Sequence, residues 1–386
     1  MFALVLLVVA CMNVVVFAPG HGGNIPEPTP GQLSNVCGTD KKAHQDMSAS
    51  TNPQLRKLAE YEVVCDGSFT DKTMLFTNMP TNTVEARSQA REMTATLKEL
   101  AKYHVSPLVI FEPTDAEGNT LDLPELRNGI YDAAFASYFQ NLKDNGVTDK
   151  MMGMWVPFPE ANTPMWGTTD PAIFAANVTH VVSLQKQYFP KSQASVMLNS
   201  QSYEADDEEW RYGKYSSLVP YVKDIKKGLV NSFGLQGFPW LPPADDHTSK
   251  PITDPHVFLD PELAKDAADA LDIHELWLNT GTFGAAHTGD EATEVKVSAA
   301  ERRQFLENIL KQVGELRDDN YNVAVHVFAE DKSANKEGID WSYWKPGEAD
   351  QSDATAVFQE FVRSARLNGV SLWLYDDDHQ AGASGQ

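Results

Sequence analysis

The stretch SAAERRQFLENILKQVGELRDDNYNVAVHVF, residues 298–328, holds one complete helix followed by one complete strand. Ser298 and Glu301 form the pattern of a capping box, which marks the start of a helix. Apolar residues then recur at positions 305, 306, 309, 310 and 313, so one face of this helix is expected to be buried. The apolar run 322–328 has the length of a strand and lacks two-fold alternation, as expected when both of its faces are buried.

The same alternation of strand and helix extends from residue 73 to the end of the chain. Short apolar runs occupy residues 73–78, 107–111, 151–158, 194–199, 230–238, 273–279, 322–328 and 370–375. Amphipathic helical patterns lie between them, for example over 86–100 and 357–365. We therefore predict an α/β protein with a (β/α)₈ TIM barrel. The rival fold, an open doubly wound sheet, normally carries a glycine-rich turn after its first strand, and residues 78–81, NMPT, are not such a turn.

Composition excludes several classes of protein. The 386 residues have a formal net charge of −23, 42% hydrophobic residues and 10% aromatic residues, which excludes a wholly disordered chain. The acidic balance argues against nucleic acid as a partner, because phosphate binding needs clustered Lys and Arg. Three cysteines exclude a disulfide scaffold, and no HExxH or other zinc spacing occurs. We expect no cofactor and no bound metal, although DDDH at 376–379 has the oxygen ligands that calcium prefers.

The first segment of the chain has the character of an export signal. Residues 1–20 are predicted to be a signal peptide, residues 21–66 a linker or extension rich in Pro, Gly, Ser and Asn, and residues 67–386 the barrel domain. A second interpretation is a lipobox, VVAC at 8–11, in which lipidated Cys11 tethers the protein to a membrane. The protein is therefore expected to be secreted or held at the cell surface. In an oxidising compartment Cys37 and Cys65 either form a disulfide or remain as two thiols.

Carboxylates and aromatic residues follow the predicted strands, at the end where TIM barrels place their active sites. Sugars present apolar C–H faces that stack on aromatic rings and hydroxyls that bind carboxylates and amides. Hydrolysis of a glycosidic bond needs one carboxyl group as proton donor and a second as nucleophile or base. An apolar setting favours the protonated form of the donor. Glu160, with Phe158, Pro159, Met165 and Trp166 around it in sequence, is the carboxyl group best placed for this role.

The segment WVPFPEANTPMWG, residues 155–167, resembles the acid/base motif of glycoside hydrolase family 26, the mannanase family of clan A. Weaker similarities follow in the family's order, at 107–113, 195–200, 230–238 and 328–341, so the resemblance covers roughly residues 105–345. It implies a barrel enzyme acting on mannan or another β-linked polysaccharide, with Glu160 as general acid/base. The family's usual Arg and His are replaced here by Val156 and Pro159, so the contacts around the acid differ.

The second catalytic group departs from the family. The resemblance places its nucleophile in LWLNTG, residues 276–281, where Asn279 stands in place of the expected Glu, and an amide cannot attack as a carboxylate does. We predict Glu330 as the substitute, with Asp376 as a further candidate. The predicted runs put Glu160 after strand three and Glu330 after strand seven. The family register instead puts Glu160 on four and Asn279 on seven, with 370–375 as a ninth strand or a replacement for the first.

The remaining candidates are sugar contacts near strand ends. They are Asn162, Trp166, Tyr203, Phe238, Trp240, Asn279 and Trp341. The expected partner is a polysaccharide or oligosaccharide. Asn279 also supports a rival hypothesis, a carbohydrate-binding pseudoenzyme that keeps the fold without catalysis, and a structural surface protein is a third alternative.

Overall fold

A computed structural model describes most of the barrel domain. It covers residues 49–50, 72–103, 105–116, 118–163, 170–206, 209–238, 254–281, 285–286, 298–328, 331–332, 339–340 and 352–375. The predicted signal segment, most of the linker and all three cysteines lie outside the described residues. Within the described part, no helix is both long enough and apolar enough to cross a membrane.

Eight parallel strands close into a barrel, which confirms the predicted fold. In chain order they are β1 Lys72–Asn78, β2 Ser106–Glu112, β3 Met154–Pro157, β4 Gln193–Asn199, β5 Ser232–Gln236, β6 Glu275–Gly281, β7 Asn322–Phe328 and β8 Ser371–Tyr375. Each strand pairs with the next, and β8 pairs with both β7 and β1. The family register is therefore wrong for this chain: the run 370–375 is the eighth, closing strand, Glu160 follows the third strand, and Asn279 lies on the sixth.

Helices surround the barrel, and several begin at caps that the sequence supplies. They are α1 Thr83–Lys102, α2 Leu123–Leu126, α3 Asp132–Asp144, α4 Asp149–Met152, α5 Pro171–Tyr188, α6 Val219–Val222, α7 Pro261–Leu271, α8 Ala299–Asp318 and α9 Ser352–Leu367. The capping box of α8 forms as predicted between Ser298 and Glu301. Asn82 caps α1, because its side chain accepts hydrogen bonds from two main-chain N–H groups of the first turn.

One predicted strand is shorter than its apolar run. The run 151–158 begins in α4, whose first turn is capped by Thr148, and β3 starts only at Met154. Gly153 joins the two with φ of 58°, and a Cβ atom there would lie 2.2 Å from the main-chain oxygen of Pro107. Only glycine fits this turn, so the apolar run is divided between a helix and a strand.

Residues of each strand alternate between two apolar cores. The inner core fills the barrel and consists of Met74, Leu108, Ile110, Met154, Val156, Met197, Trp277 and Ala324. The larger outer core lies between strands and helices, and includes Phe111 and Trp155, whose rings contact each other. Gly234 is required beside the inner core, because a Cβ atom there would lie 2.4 Å from the ring of Trp277. The alternation determines which residue at each strand end faces the barrel mouth.

Smaller strands follow the barrel strands at the same end. Gln201–Asp206 and Glu209–Lys214 form an antiparallel hairpin after β4. Ala285–Ala286, Asp331–Lys332 and Ile339–Asp340 form a three-stranded sheet beyond β6 and β7. Both additions extend the carboxyl-terminal side of the barrel, where the candidate site lies.

Candidate active site

Glu160 lies in a tight turn immediately after β3, at the carboxyl-terminal mouth of the barrel. The turn contains two left-handed residues that are not glycine, Phe158 with φ of 56° and Glu160 with φ of 51°. Such a conformation costs on the order of 1–3 kcal/mol for a residue with a side chain. The surrounding contacts must hold the turn in place, and strained turns of this kind are concentrated at functional sites.

Main-chain and side-chain hydrogen bonds fix Glu160 against β4. Its N–H donates to the carbonyl oxygen of Met197 at 3.1 Å, and its own carbonyl oxygen accepts from the N–H of Thr163 at 2.9 Å. Its carboxylate oxygen Oε1 accepts from the amide Nδ2 of Asn199 at 3.1 Å. The side chain is half-buried. The carboxyl group is therefore oriented by β4 while it remains open to the barrel mouth.

Asn162 attaches the Glu160 turn to the end of β4. It is fully buried; its Nδ2 donates to the carbonyl oxygen of Asn199 at 2.6 Å, and its Oδ1 accepts from the N–H of Asn199 at 2.9 Å. The predicted sugar contact thus has both ends of its amide engaged by main chain, and its visible role is to position the turn. The hydroxyl of Tyr215 donates to the main-chain oxygen of Asn162. Burial raises the pKa of Tyr215 to about 12, so this donor keeps its proton at neutral pH.

Asn279 is the centre of a chain of buried polar side chains on three adjacent strands. Its Nδ2 donates to Oε1 of Gln236 at 2.5 Å, and its Oδ1 lies 2.5 Å from Nδ1 of His326. Because the amide oxygen can only accept, Nδ1 of His326 carries the proton in this bond. Both Asn279 and His326 are buried. Met197 links this chain to Glu160, since its Sδ lies 3.7 Å from Nδ2 of Asn279.

Strand register places these groups in one layer of the barrel. Asn199, Gln236, Asn279 and His326 are Cα partners on successive strands from β4 to β7. The sequence analysis did not select Asn199, Gln236 or His326. Their signal was weak, because a strand buried on both faces shows no period of two, and a single polar residue near its end does not reveal which way it faces.

Glu112 is a further carboxylate at this mouth. It ends β2, is half-buried, and is the Cα partner of Asn78 at the end of β1. Leu108 and Ile110, two and four residues earlier on the same strand, belong to the inner core. Alternation along the strand therefore places Glu112 on the inward side, beyond the apolar filling of the barrel.

Several predicted site residues cannot be located. Glu330, Trp166, Trp240 and Trp341 lie outside the described residues, as does Asp376. Tyr203 belongs to the hairpin strand Gln201–Asp206, but its side chain is outside the description. Phe238 is half-buried against the inner core, and its N–H donates to Oε1 of Gln201 at 3.3 Å. The roles of these residues as catalytic group or sugar contacts stay predictions.

The described residues contain no group of three or more His, Cys, Asp or Glu arranged to hold a metal ion. The chemistry available at the described mouth is that of carboxylates, amides and one imidazole. Carboxylates transfer protons, while amides donate to and accept from hydroxyl groups. This combination suits a neutral, hydroxyl-rich ligand.

Comparison with known proteins supports the barrel fold. The chain matches no protein-family model, and no curated protein matches it in sequence. An exo-β-1,4-mannosidase from Opitutaceae bacterium strain TAV5 is similar in structure, with a TM-score of 0.51 and 14% identity over 86% of this chain and 58% of the mannosidase. At this identity the likeness shows a shared fold.

Two other solved structures have lower TM-scores. A family 1 β-glucosidase from Thermotoga maritima gives 0.48 with 11% identity, over 86% of this chain and 94% of that one. An endo-1,4-β-D-mannanase from Thermotoga petrophila RKU-1 gives 0.42 with 10% identity, over 80% and 94% of the two chains.

Proposed function

We propose that this protein is a glycoside hydrolase that cleaves a β-linked polysaccharide of the mannan or β-glucan type, with Glu160 as general acid/base. The observation that carries the proposal is the half-buried carboxylate of Glu160, held in a strained turn at the mouth of a closed (β/α)₈ barrel. Active sites of this fold lie at that end of the strands. The shared fold of the Opitutaceae exo-β-1,4-mannosidase supports the same class of substrate.

The geometry suits proton transfer to a departing sugar oxygen. The N–H of Glu160 is bonded to β4 and its carboxylate to Asn199, so the group needs little reorganisation before it acts. Phe158 and Ala161, on either side of it in the turn, are buried and limit the access of water. The amides of Asn199, Gln236 and Asn279 line the same layer, where sugar hydroxyls can exchange hydrogen bonds with polar groups.

The test is hydrolysis by the purified protein of mannan, mixed-linkage β-glucan, xylan and β-1,3-glucan, followed by release of reducing ends. Glu160→Gln keeps the shape of the side chain and removes its acidic proton. We expect it to lower kcat on the cleaved polysaccharide by about 10²–10⁴-fold, the usual contribution of general acid–base catalysis. The matched control is Glu125→Gln, which alters an exposed carboxylate of α2. Full activity of Glu160→Gln would exclude Glu160 as the acid.

A second candidate function is carbohydrate binding without catalysis. It is favoured by one observation, the amide of Asn279 at the position where the resembling family carries its nucleophile, locked between Gln236 and His326. This function predicts that the oligosaccharide fragments of one of these polysaccharides bind in calorimetry while no reducing ends appear. Release of reducing ends by the wild type, abolished in Glu160→Gln, decides for the hydrolase.

The proposal includes export of the protein, either free or tethered through Cys11. Polysaccharides of this size are outside the cell, so the enzyme must reach them there. Expression of the full chain in a bacterial host, followed by fractionation, tests both forms. Membrane-bound wild type and released Cys11→Ala indicate the lipid tether, whereas retention of both in the cytoplasm contradicts export.

A further inference from the structure

Glu112 and Glu160 lie at the same end of the barrel on neighbouring connections. Phe111, the residue before Glu112, accepts a hydrogen bond from the N–H of Phe158 at 3.1 Å, and Phe158 is two residues before Glu160. The two carboxylates therefore belong to one side of the mouth. Glu112 continues the inward-facing series of Leu108 and Ile110, so its side chain is on the barrel side of β2.

The contacts of Glu160 separate it from Glu112 by a definite step. Its N–H and its carboxylate are both bonded to β4, through Met197 and Asn199. Glu112 ends β2, and β3 lies between β2 and β4. Adjacent strands are about 4.8 Å apart, which puts the backbones that carry the two carboxyl groups roughly 10 Å apart. Inward-facing side chains shorten this distance, which then fits the ~6.5–9.5 Å of inverting glycosidases better than the ~5 Å of retaining ones.

The amide layer does not supply a second carboxylate on the other side of Glu160. Asn199, Gln236 and Asn279 occupy the inward positions on β4, β5 and β6. An amide is neither a base for water nor a nucleophile for the anomeric carbon. Among the strand-end residues described from β1 to β6, Glu112 is the carboxylate that faces inward.

We propose that Glu112 is the base that activates water opposite Glu160, which makes the enzyme inverting. This inference rests on the proposed hydrolase function and replaces Glu330 as the second group. Glu112 takes a proton from water as the water oxygen forms its bond to the anomeric carbon. The bond from that carbon to the glycosidic oxygen breaks, and the oxygen takes the proton of Glu160. One water is consumed, the anomeric configuration inverts, and the proton returns from Glu112 to Glu160 through solvent.

Leaving-group chemistry separates the two roles. The 2,4-dinitrophenyl β-glycosides of mannose and glucose release a phenolate that needs no proton. On whichever of these the wild type cleaves, we expect Glu160→Gln to stay within about tenfold of wild type. Glu112→Gln should lose about 10²–10⁴-fold on both this substrate and the polysaccharide. Proton NMR of the first product formed should show the inverted anomer. Glu125→Gln is again the matched control.

The outcomes distinguish the inference from the function on which it depends. If Glu160→Gln abolishes polysaccharide cleavage while Glu112→Gln retains it within tenfold, the hydrolase stands and the role of Glu112 is wrong. A retained anomer also overturns the base assignment. A wild type that cleaves no substrate overturns both. If Glu112→Gln does not fold, as judged by circular dichroism, Glu112→Asp is used instead, with an expected loss of at least tenfold because its carboxylate is withdrawn by one methylene.

Discussion

Replacement of Asn162 by alanine tests whether the buried amide holds the catalytic turn in position. Asn162 makes two hydrogen bonds to the main chain of Asn199, at 2.6 and 2.9 Å, and no part of it is exposed. Alanine removes both partners and leaves the N–H and the carbonyl oxygen of Asn199 without these bonds. Each buried polar group left in this way costs about 1–3 kcal/mol, so we expect a loss of about 2–6 kcal/mol in the free energy of unfolding.

Two assays report on this change. Thermal unfolding should show a fall in Tm of roughly 4 °C or more, since domains of 150–250 residues lose about 2–4 °C per kcal/mol. Hydrogen exchange of the amides of Glu160 and Thr163 should accelerate, because their bonds depend on the position of the turn. The kcat of the proposed hydrolysis should fall by about 10²-fold, as a misplacement of the acid by 1 Å can cause.

Asn177→Ala is the matched control. Asn177 is also a buried asparagine, on α5, and its amide donates to the carbonyl oxygen of Leu123 at 2.9 Å, away from the mouth. It should lower stability by about 1–3 kcal/mol and leave kcat within about twofold. If Asn162→Ala behaves like this control, with lower stability and unchanged kcat and exchange, the positioning role of Asn162 is refuted.

Two further predictions concern the barrel itself. Gly234→Ala should lower the free energy of unfolding by about 1–3 kcal/mol in urea titrations, because its Cβ atom would lie 2.4 Å from the Trp277 ring inside the inner core; an unchanged midpoint would contradict this. Burial, followed by the bond to Asp269, raises the pKa of Tyr321 to about 12 from 10.0, so the folded state holds this proton more tightly than the unfolded state. Its contribution to stability is fully present below pH 10 and is lost as the pH rises towards 12, so Tyr321→Phe should lose less stability than wild type between pH 9 and pH 11.5; equal losses would show that this hydroxyl is not the titrating group.

The strands were predictable because parallel strands buried on both faces appear as short apolar runs. All eight predicted runs contain a barrel strand, and the run 322–328 coincides with β7. The boundaries failed where a main-chain contact decided them. In the run 151–158, the close approach of Gly153 to Pro107 ends a helical turn and starts β3, and the apolar pattern carries no trace of that contact.

The strand count showed what the resemblance could not supply. The matching motifs suggested that Glu160 follows the fourth strand, whereas the pairing of β8 with β1 closes the barrel and puts Glu160 after the third. Closure is a contact between the two ends of the domain, so no local motif encodes it. Counting the apolar runs gave the correct register because every strand contributes one run.

By itself the sequence determined the barrel, the acidic and aromatic character of its strand ends, and Glu160 as the leading candidate acid. These features are local, since burial, caps and motif residues are each visible within a few positions. Only the tertiary structure decided which polar residues share the mouth: Asn199 at the carboxylate of Glu160, the chain from Gln236 through Asn279 to His326, and Glu112 on the inward side of β2. Strands far apart in the chain bring these side chains together, and the direction in which each one faces is set by the closure and register of the barrel.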